Sequence, residues 1–219
     1  MLDKPARVAA RANSEGVRQP PSSGNPADSA ARSCWKGLRA LPHGQTAKAT
    51  GKGLIDFVES YRKFTHLPTP QPSLFYAANL AERIVHLTQS NNTQPGTRII
   101  LSIEPLDLII YADEKLITQV MLNLVKNAMQ SVEQASDGLI QIKGYCNSDE
   151  SVSLEIMDNG PGISPEMADH IFIPFFTTKE GGSGIGLSIS RQIMRLHGGT
   201  LTLKSSPSKK ETSFILTFK

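Results

Sequence analysis

Long apolar runs are missing from this chain: none approaches the roughly 18–20 residues that a membrane-spanning helix needs. The amino terminus, MLDKPARVAARANSEG, also lacks the apolar stretch of a secretion signal. Cysteine is scarce. Cys34 and Cys146 lie far apart with no metal-type spacing, and read most simply as free thiols in a reducing compartment. The expected location is therefore the cytoplasm. Tryptophan occurs once, at Trp35, without an apolar stripe beside it, and no internal repeat is visible. Neither Gly-x-x-x-x-Gly-Lys-Ser/Thr nor Gly-x-Gly-x-x-Gly occurs, which excludes the Walker, dinucleotide and protein-kinase loops. Acidic and basic residues nearly balance, at a net charge of +3, but unevenly. Residues 1–50 carry eight Lys/Arg against three Asp/Glu, and residues 51–219 carry fifteen against seventeen. The basicity sits in the leader, so a uniform nucleic-acid-binding surface is not indicated.

What is there divides into three parts. Residues 1–50 are rich in Pro, Gly, Ser, Ala and Arg, bury too little apolar surface to offset chain entropy, and read as a disordered basic leader. Residues 51–73 hold a lone amphipathic helix (Leu54, Phe57, Val58, Tyr61 and Phe64 on one stripe) and a stiff connector, LPTPQPS. Residues 74–219 form the domain proper. A helix through Leu80, Ile84, Val85 and Leu87 leads to two short strands, Thr97–Ile103 and Leu108–Tyr111. Asp113 is placed to cap a helix whose buried face is Leu116, Val120, Leu124 and Val125. Asp137-Gly138 then turns the chain into strands Leu139–Cys146 and Val152–Met157. Ser164-Pro165-Glu166 opens a short helix, and a second helix runs from about Gly184 to Leu196, stopped by Gly198-Gly199. Strands Thr200–Lys204 and Ser213–Phe218 close the chain. This order predicts an α+β fold, a two-layer sandwich with a mixed sheet under one layer of helices.

Three short motifs carry the chemistry. Asn123 and Asn127 are four residues apart on one apolar helix and project from the same face. An Asn carbonyl is an uncharged hard oxygen, suited to Mg²⁺ that is shared with water and nucleotide phosphates; bridging neighbouring elements is the other use of such a pair. Asp158 ends an apolar strand, where an ionised carboxylate needs a donor such as an exocyclic adenine amine. Gly160 and Gly162 then let a planar base approach the backbone, although Asp-Asn-Gly-Pro-Gly is also good turn chemistry. Gly182, Ser183, Gly184 and Gly186 run directly into a helix whose first amides form an anion site for phosphate. Between them lie Phe172, Phe175 and Phe176, core packing or the anchor of a mobile lid, and Lys179, solvated or reaching a phosphate. In this order the three motifs predict an ATP site.

These residues resemble the ATP-binding domain of bacterial sensor histidine kinases, within the gyrase, Hsp90, histidine kinase and MutL superfamily. MLNLVKNAMQS is similar to the N box, MDNGPGI to the G1 box, IFIPFFTTK to the F box and GGSGIGLSIS to the G2 box. The resemblance covers about residues 74–219 and implies a Bergerat-type sandwich. It further implies Mg-ATP as ligand, γ-phosphate transfer to a histidine, and a response regulator as partner in two-component signalling. By the same matching Asn127 is the main Mg²⁺ ligand with Asn123 beside it, and Asp158 selects adenine. Asn123, Asn127 and Lys179 are the catalytic candidates. Nucleotide contacts extend to Ile163, Phe172, Thr178, Ile185 and Leu187.

Two departures and one agreement modify this. The ATP-hydrolysing members of the superfamily typically carry a water-activating glutamate at the first N-box position, where Asn123 cannot act as a base, which favours phosphotransfer. A Lys or Arg often follows the second N-box Asn by three residues; Gln130 stands there, leaving phosphate contact to Lys126, Lys179 and lid amides. Finally, GLIDFVESYRKFTHLPTP resembles the second helix of a dimerisation and phosphoacceptor hairpin, which implies a homodimer through residues 53–66. None of His43, His66, His86, His170 or His197 is followed by the acidic residue of an acceptor motif, so the acceptor is expected on a separate protein. Two further readings remain: a non-catalytic nucleotide-gated binding module, and a serine kinase of the anti-sigma-factor kind.

Overall fold

The computed structural model describes residues 67–90, 97–179 and 182–219, together with Arg62. The expected leader, Cys34, Trp35 and the interface at 53–66 lie outside the described residues, apart from Arg62, which is helical. Leu67–Pro72 have no regular structure, as three prolines in six residues dictate. They are nonetheless tied down: Leu67 packs against the core, and the Gln71 amide donates to Asp113 Oδ2 at 2.9 Å.

The chain then forms β1 (Ser73–Tyr76), α1 (Ala77–Ser90), β2 (Arg98–Glu104), β3 (Ile109–Ala112) and α2 (Glu114–Ser131). After these come β4 (Leu139–Cys146), β5 (Val152–Asp158), α3 (Pro165–Ala168), α4 (Gly186–Leu196), β6 (Thr200–Ser206) and β7 (Glu211–Phe218), with a 3₁₀ turn at Pro207–Lys209. The main sheet has the order β2-β4-β5-β7-β6, with β2 and β4 parallel and every other pair antiparallel, so the expected mixed sheet is present. Two details differ from the sequence reading. β1 falls within four residues that follow the proline run, and it pairs with β3 in a separate two-stranded sheet. The strands on either side of Pro105, adjacent in sequence, therefore belong to different sheets.

α2 is the centre of the helical layer. Its buried residues, Leu116, Ile117, Val120, Met121, Leu124, Val125 and Ala128, form two adjacent stripes. A double stripe lets one helix face the sheet and its neighbours together, and α2 packs on β4 and β5 while touching α1 and α4. Burial of each large aliphatic side chain here is worth about 1.5–3 kcal/mol. α2 begins at Asp113, whose Oδ1 accepts from the amides of Lys115 and Leu116 at 3.0 and 3.2 Å, as a capping carboxylate should.

α4 runs antiparallel to α2 and is fixed to it twice. Near the start of α4, Asn123 Nδ2 donates to Ser190 Oγ at 3.1 Å. At its end, His197 Nε2 accepts from the Asp113 amide at 3.0 Å, so Nδ1 carries the proton and donates to the Ile193 carbonyl at 2.8 Å. Gly198, at φ 68°, ends the helix in the left-handed conformation. No helix of the described residues is long and apolar enough to cross a membrane.

Candidate functional site

Strand parity places the first site residue. Leu154, Ile156 and Asp158 alternate onto the helix-facing side of β5, so the residue that follows two core positions is a carboxylate only 3% exposed. Thr212 on β7 pairs with Asp158, and Ser205 on β6 pairs with Thr212. A polar row thus crosses three strands at the end of an otherwise apolar face. Asp158 Oδ1 accepts from the Gly160 amide at 3.0 Å, and the Ser131 hydroxyl at the end of α2 donates to the same carboxylate. Burial nevertheless dominates and raises the Asp158 pKa, against the lowering effect of Gly160, Ser131 and the Lys179 charge.

α2 supplies the facing wall. Asn123, Asn127 and Gln130 follow one another at i, i+4 and i+7, with Ser131 beside them. The Asn123 amide is committed to Ser190, and its oxygen lies against Gly186, where even a single added carbon would overlap it. Asn127 is half-buried, and among the described residues no group takes its amide as a hydrogen-bond partner. The two asparagines therefore differ. One is engaged between helices and the other is open to a ligand.

The Gly-rich segments close the other sides. Space beside Gly160 is taken by Ser131, and space beside Gly162 by the Pro207 backbone, so both glycines also serve the protein's own packing. The Ile163 amide donates to Ser205 Oγ at 2.8 Å, which ties this turn to the polar row. Phe172 lies edge-on to Phe214 of β7, and the Arg191 guanidinium sits 4.7 Å above its ring. Phe172 is thus a packed anchor at the foot of the loop that follows. Phe175 (φ 67°) donates its amide to the Gly184 carbonyl at 2.9 Å, and Gly184 itself has φ 66°. Side chains rarely adopt this conformation, and any at Gly184 would meet the Phe175 backbone.

Thr178, Gly182 and Ser183 are exposed on the loop, whereas Ile185 is buried and Leu187 half-buried at the start of α4. The helix begins at Gly186, two residues later than the sequence suggests, because the backbone of Gly184 is left-handed. No side chain caps it. Its first amides consequently face the loop and carry the positive end of the helix dipole.

Lys179 Nζ donates to Gln130 Oε1 at 2.7 Å. Although the residue as a whole is exposed, its ammonium is folded back on α2. Loss of water around it lowers the pKa, Asp158 opposes this, and Lys126 adds to it. Sequence reasoning does not single out Ser131, Thr212 or Ser190. Ser131 lies four residues beyond Asn127, and the parity of β7 marks Thr212; only the packing of α4 reveals Ser190.

Residues 112–219 match the family of histidine kinase-, DNA gyrase B- and HSP90-like ATPases. Among curated proteins the chain is similar to the signal transduction histidine-protein kinase AtoS of Escherichia coli (strain K12), 36% identical over 128 residues, 58% of this chain and 21% of that protein. It thus spans about a fifth of the length of that relative. Among solved structures it is similar to the catalytic domain of histidine kinase ThkA, at 30% identity and a TM-score of 0.61, covering 68% of this chain and 95% of that one. ThkA in complex with the response regulator protein TrrA shares the fold at 24% identity and a TM-score of 0.63, over 89% of this chain and 57% of that chain. The match over residues 112–219 and the likeness to the ThkA catalytic domain show that this chain belongs to the histidine kinase-, DNA gyrase B- and HSP90-like ATPase family, with the fold of a histidine kinase catalytic domain.

Proposed function

We propose that residues 74–219 bind Mg-ATP and donate its γ-phosphoryl group to a histidine on a separate acceptor protein, with a response regulator downstream. Residues 51–73 then correspond to the second helix and connector of a dimerisation hairpin. The observation that carries this proposal is the difference between the two asparagines. Asn127 offers a half-buried neutral oxygen with no hydrogen-bond partner among the described residues, while Asn123, where a hydrolase would hold a carboxylate base, is an amide tied to Ser190. Water activation has no base there, and phosphoryl transfer needs none from that position.

The donor set fits a magnesium ion shared with phosphates. Among the described residues no group of three or more His, Cys, Asp or Glu forms a cage for a metal. A single amide oxygen suits an ion that takes its other ligands from water and nucleotide. Bound there, Mg²⁺ would neutralise phosphate charge. Asn127 would hold it with Asn123 behind. Asp158, ionised, would accept from the adenine amine, with Ser131 orienting the carboxylate. Ile163, Phe172 and Leu187 would border the base, and the amides at Gly182, Ser183, Gly184, Ile185 and Gly186 with Thr178 and Lys179 would face the phosphates.

Incubation with γ-labelled ATP tests the proposal. The isolated chain is expected to stay unlabelled, while an added acceptor-histidine protein gains an acid-labile, alkali-stable label. Strong label of that kind on the chain alone would overturn the separate acceptor. Acid-stable phosphoserine on a partner would point to the serine-kinase alternative, and nucleotide binding without any transfer to a non-catalytic module. The ThkA–TrrA complex supports a response regulator as the partner class.

A further inference from the structure

Gln130 occupies a position from which a basic side chain would reach into the site, yet it is neutral, and it holds the basic side chain of another element. Lys179 is fixed at both ends. Its amide donates to Thr177 Oγ1 at 3.1 Å, and its carbonyl accepts from the Gly182 amide at 3.1 Å. Gly182 is needed for this, because a Cβ there would lie 2.7 Å from Thr177 Oγ1. At the other end Nζ meets Gln130 Oε1 at 2.7 Å. A glutamate at 130 would neutralise the ammonium and a lysine would repel it. An amide does neither: it accepts one of three N–H bonds and leaves the charge whole. Asp158 and Lys126 are the charged neighbours, of opposite and like sign.

We propose that Gln130 is a positioning residue that aims the Lys179 ammonium at the terminal phosphate, so that preference for ATP over ADP resides in this pair of side chains. The inference rests on the ATP reading above. The cation at this site is thus delivered by Lys179 and held by a neutral side chain of α2. Lys179 makes the contact, and Gln130 acts only through Lys179.

A double-mutant cycle on the full chain tests this, with equilibrium titrations of Mg-ATP, Mg-ADP and AMP. Gln130→Ala and Lys179→Gln should each lower the ATP-to-ADP affinity ratio, Lys179→Gln by about tenfold, the scale of one charge-assisted hydrogen bond. The double variant should be no worse than Lys179→Gln alone. Gln130→Lys placed in the Lys179→Gln chain should recover most of the ratio by returning the cation to α2. A ratio unchanged in Gln130→Ala, with only the melting temperature lowered, makes the bond purely structural and overturns the proposal; so do additive losses in the double variant. Failure of the unsubstituted chain to bind any of the three nucleotides would instead refute the ATP reading.

Discussion

Asn123 of α2 donates its amide to Ser190 Oγ of α4 across 3.1 Å, while Gly186, one turn earlier on α4, lies against the oxygen of the same amide. That contact joins the helix bearing Asn127 to the helix that opens at the Gly-rich loop. Gly186→Ala should therefore force the helices apart. Overpacking of this kind costs about 1–3 kcal/mol, expected as a lower melting temperature together with weaker nucleotide binding. Adding Asn123→Ala should return much of the lost stability, because the collision is then absent. Calorimetry on the two single variants and the double variant checks this, and equal melting temperatures for unsubstituted and Gly186→Ala chains would contradict it.

Asp158 gives a prediction with opposite signs for stability and binding. Its pKa is raised in the folded chain, chiefly by burial, so the native state holds its proton more tightly than the unfolded state. Stability from this group is fully present below the unfolded pKa and is lost as pH rises through the folded one. Asp158→Asn should thus melt higher than the unsubstituted chain at neutral pH, with the gap closing in acid. Asp158→Ala should keep the fold and weaken ATP. Affinity of the unsubstituted chain for ATP should also fall as pH drops through the folded pKa, since the proposed bond from the adenine amine needs the ionised form. An ATP titration indifferent to both substitution and pH removes Asp158 from the adenine role.

Asn127→Ala should abolish the magnesium dependence of ATP binding while leaving adenosine binding intact. The side chain takes no part in a described protein hydrogen bond, so its loss should change the melting temperature little. Titration of ATP with and without Mg²⁺ reads the effect, and an unaltered response to the metal would move the ligand role elsewhere.

Asp113 carries three backbone amides, from Gln71, Lys115 and Leu116. These lower its pKa, with Gln71 the largest cause. The stabilisation is present above the unfolded carboxylate pKa and disappears as pH falls through the lower folded value. Asp113→Ala should cost about 1 kcal/mol at neutral pH, the scale of a lost cap, and less in acid. Thermal melts at several pH values test it; a gap that does not narrow at low pH would count against the capping account.

Elements with strong local signals were readable from the sequence, and those defined by distant partners were not. β4 is bounded by Asp137-Gly138 and by an alternating pattern, and Leu139–Cys146 is the strand observed. The Asp113 cap marks where α2 starts. β1 is four residues long and follows three prolines, so its existence depends on β3, thirty-six residues further on at the Ser73–Tyr76 and Ile109–Ala112 pairing. Likewise, parity carries Asp158 to the helix side, but the nearness of Ser131 depends on where α2 lands. The Gln130–Lys179 bond lies beyond any periodicity, because it joins a helix to a loop 49 residues away.

The bond between the Phe175 amide and the Gly184 carbonyl ties together the two ends of the loop that bears Thr178, Lys179 and Ser183. The entropy of bringing such ends together is therefore met within the fold itself. A substitution that releases this neck would consequently set the two ends of the loop free of each other while leaving every side chain between them unchanged.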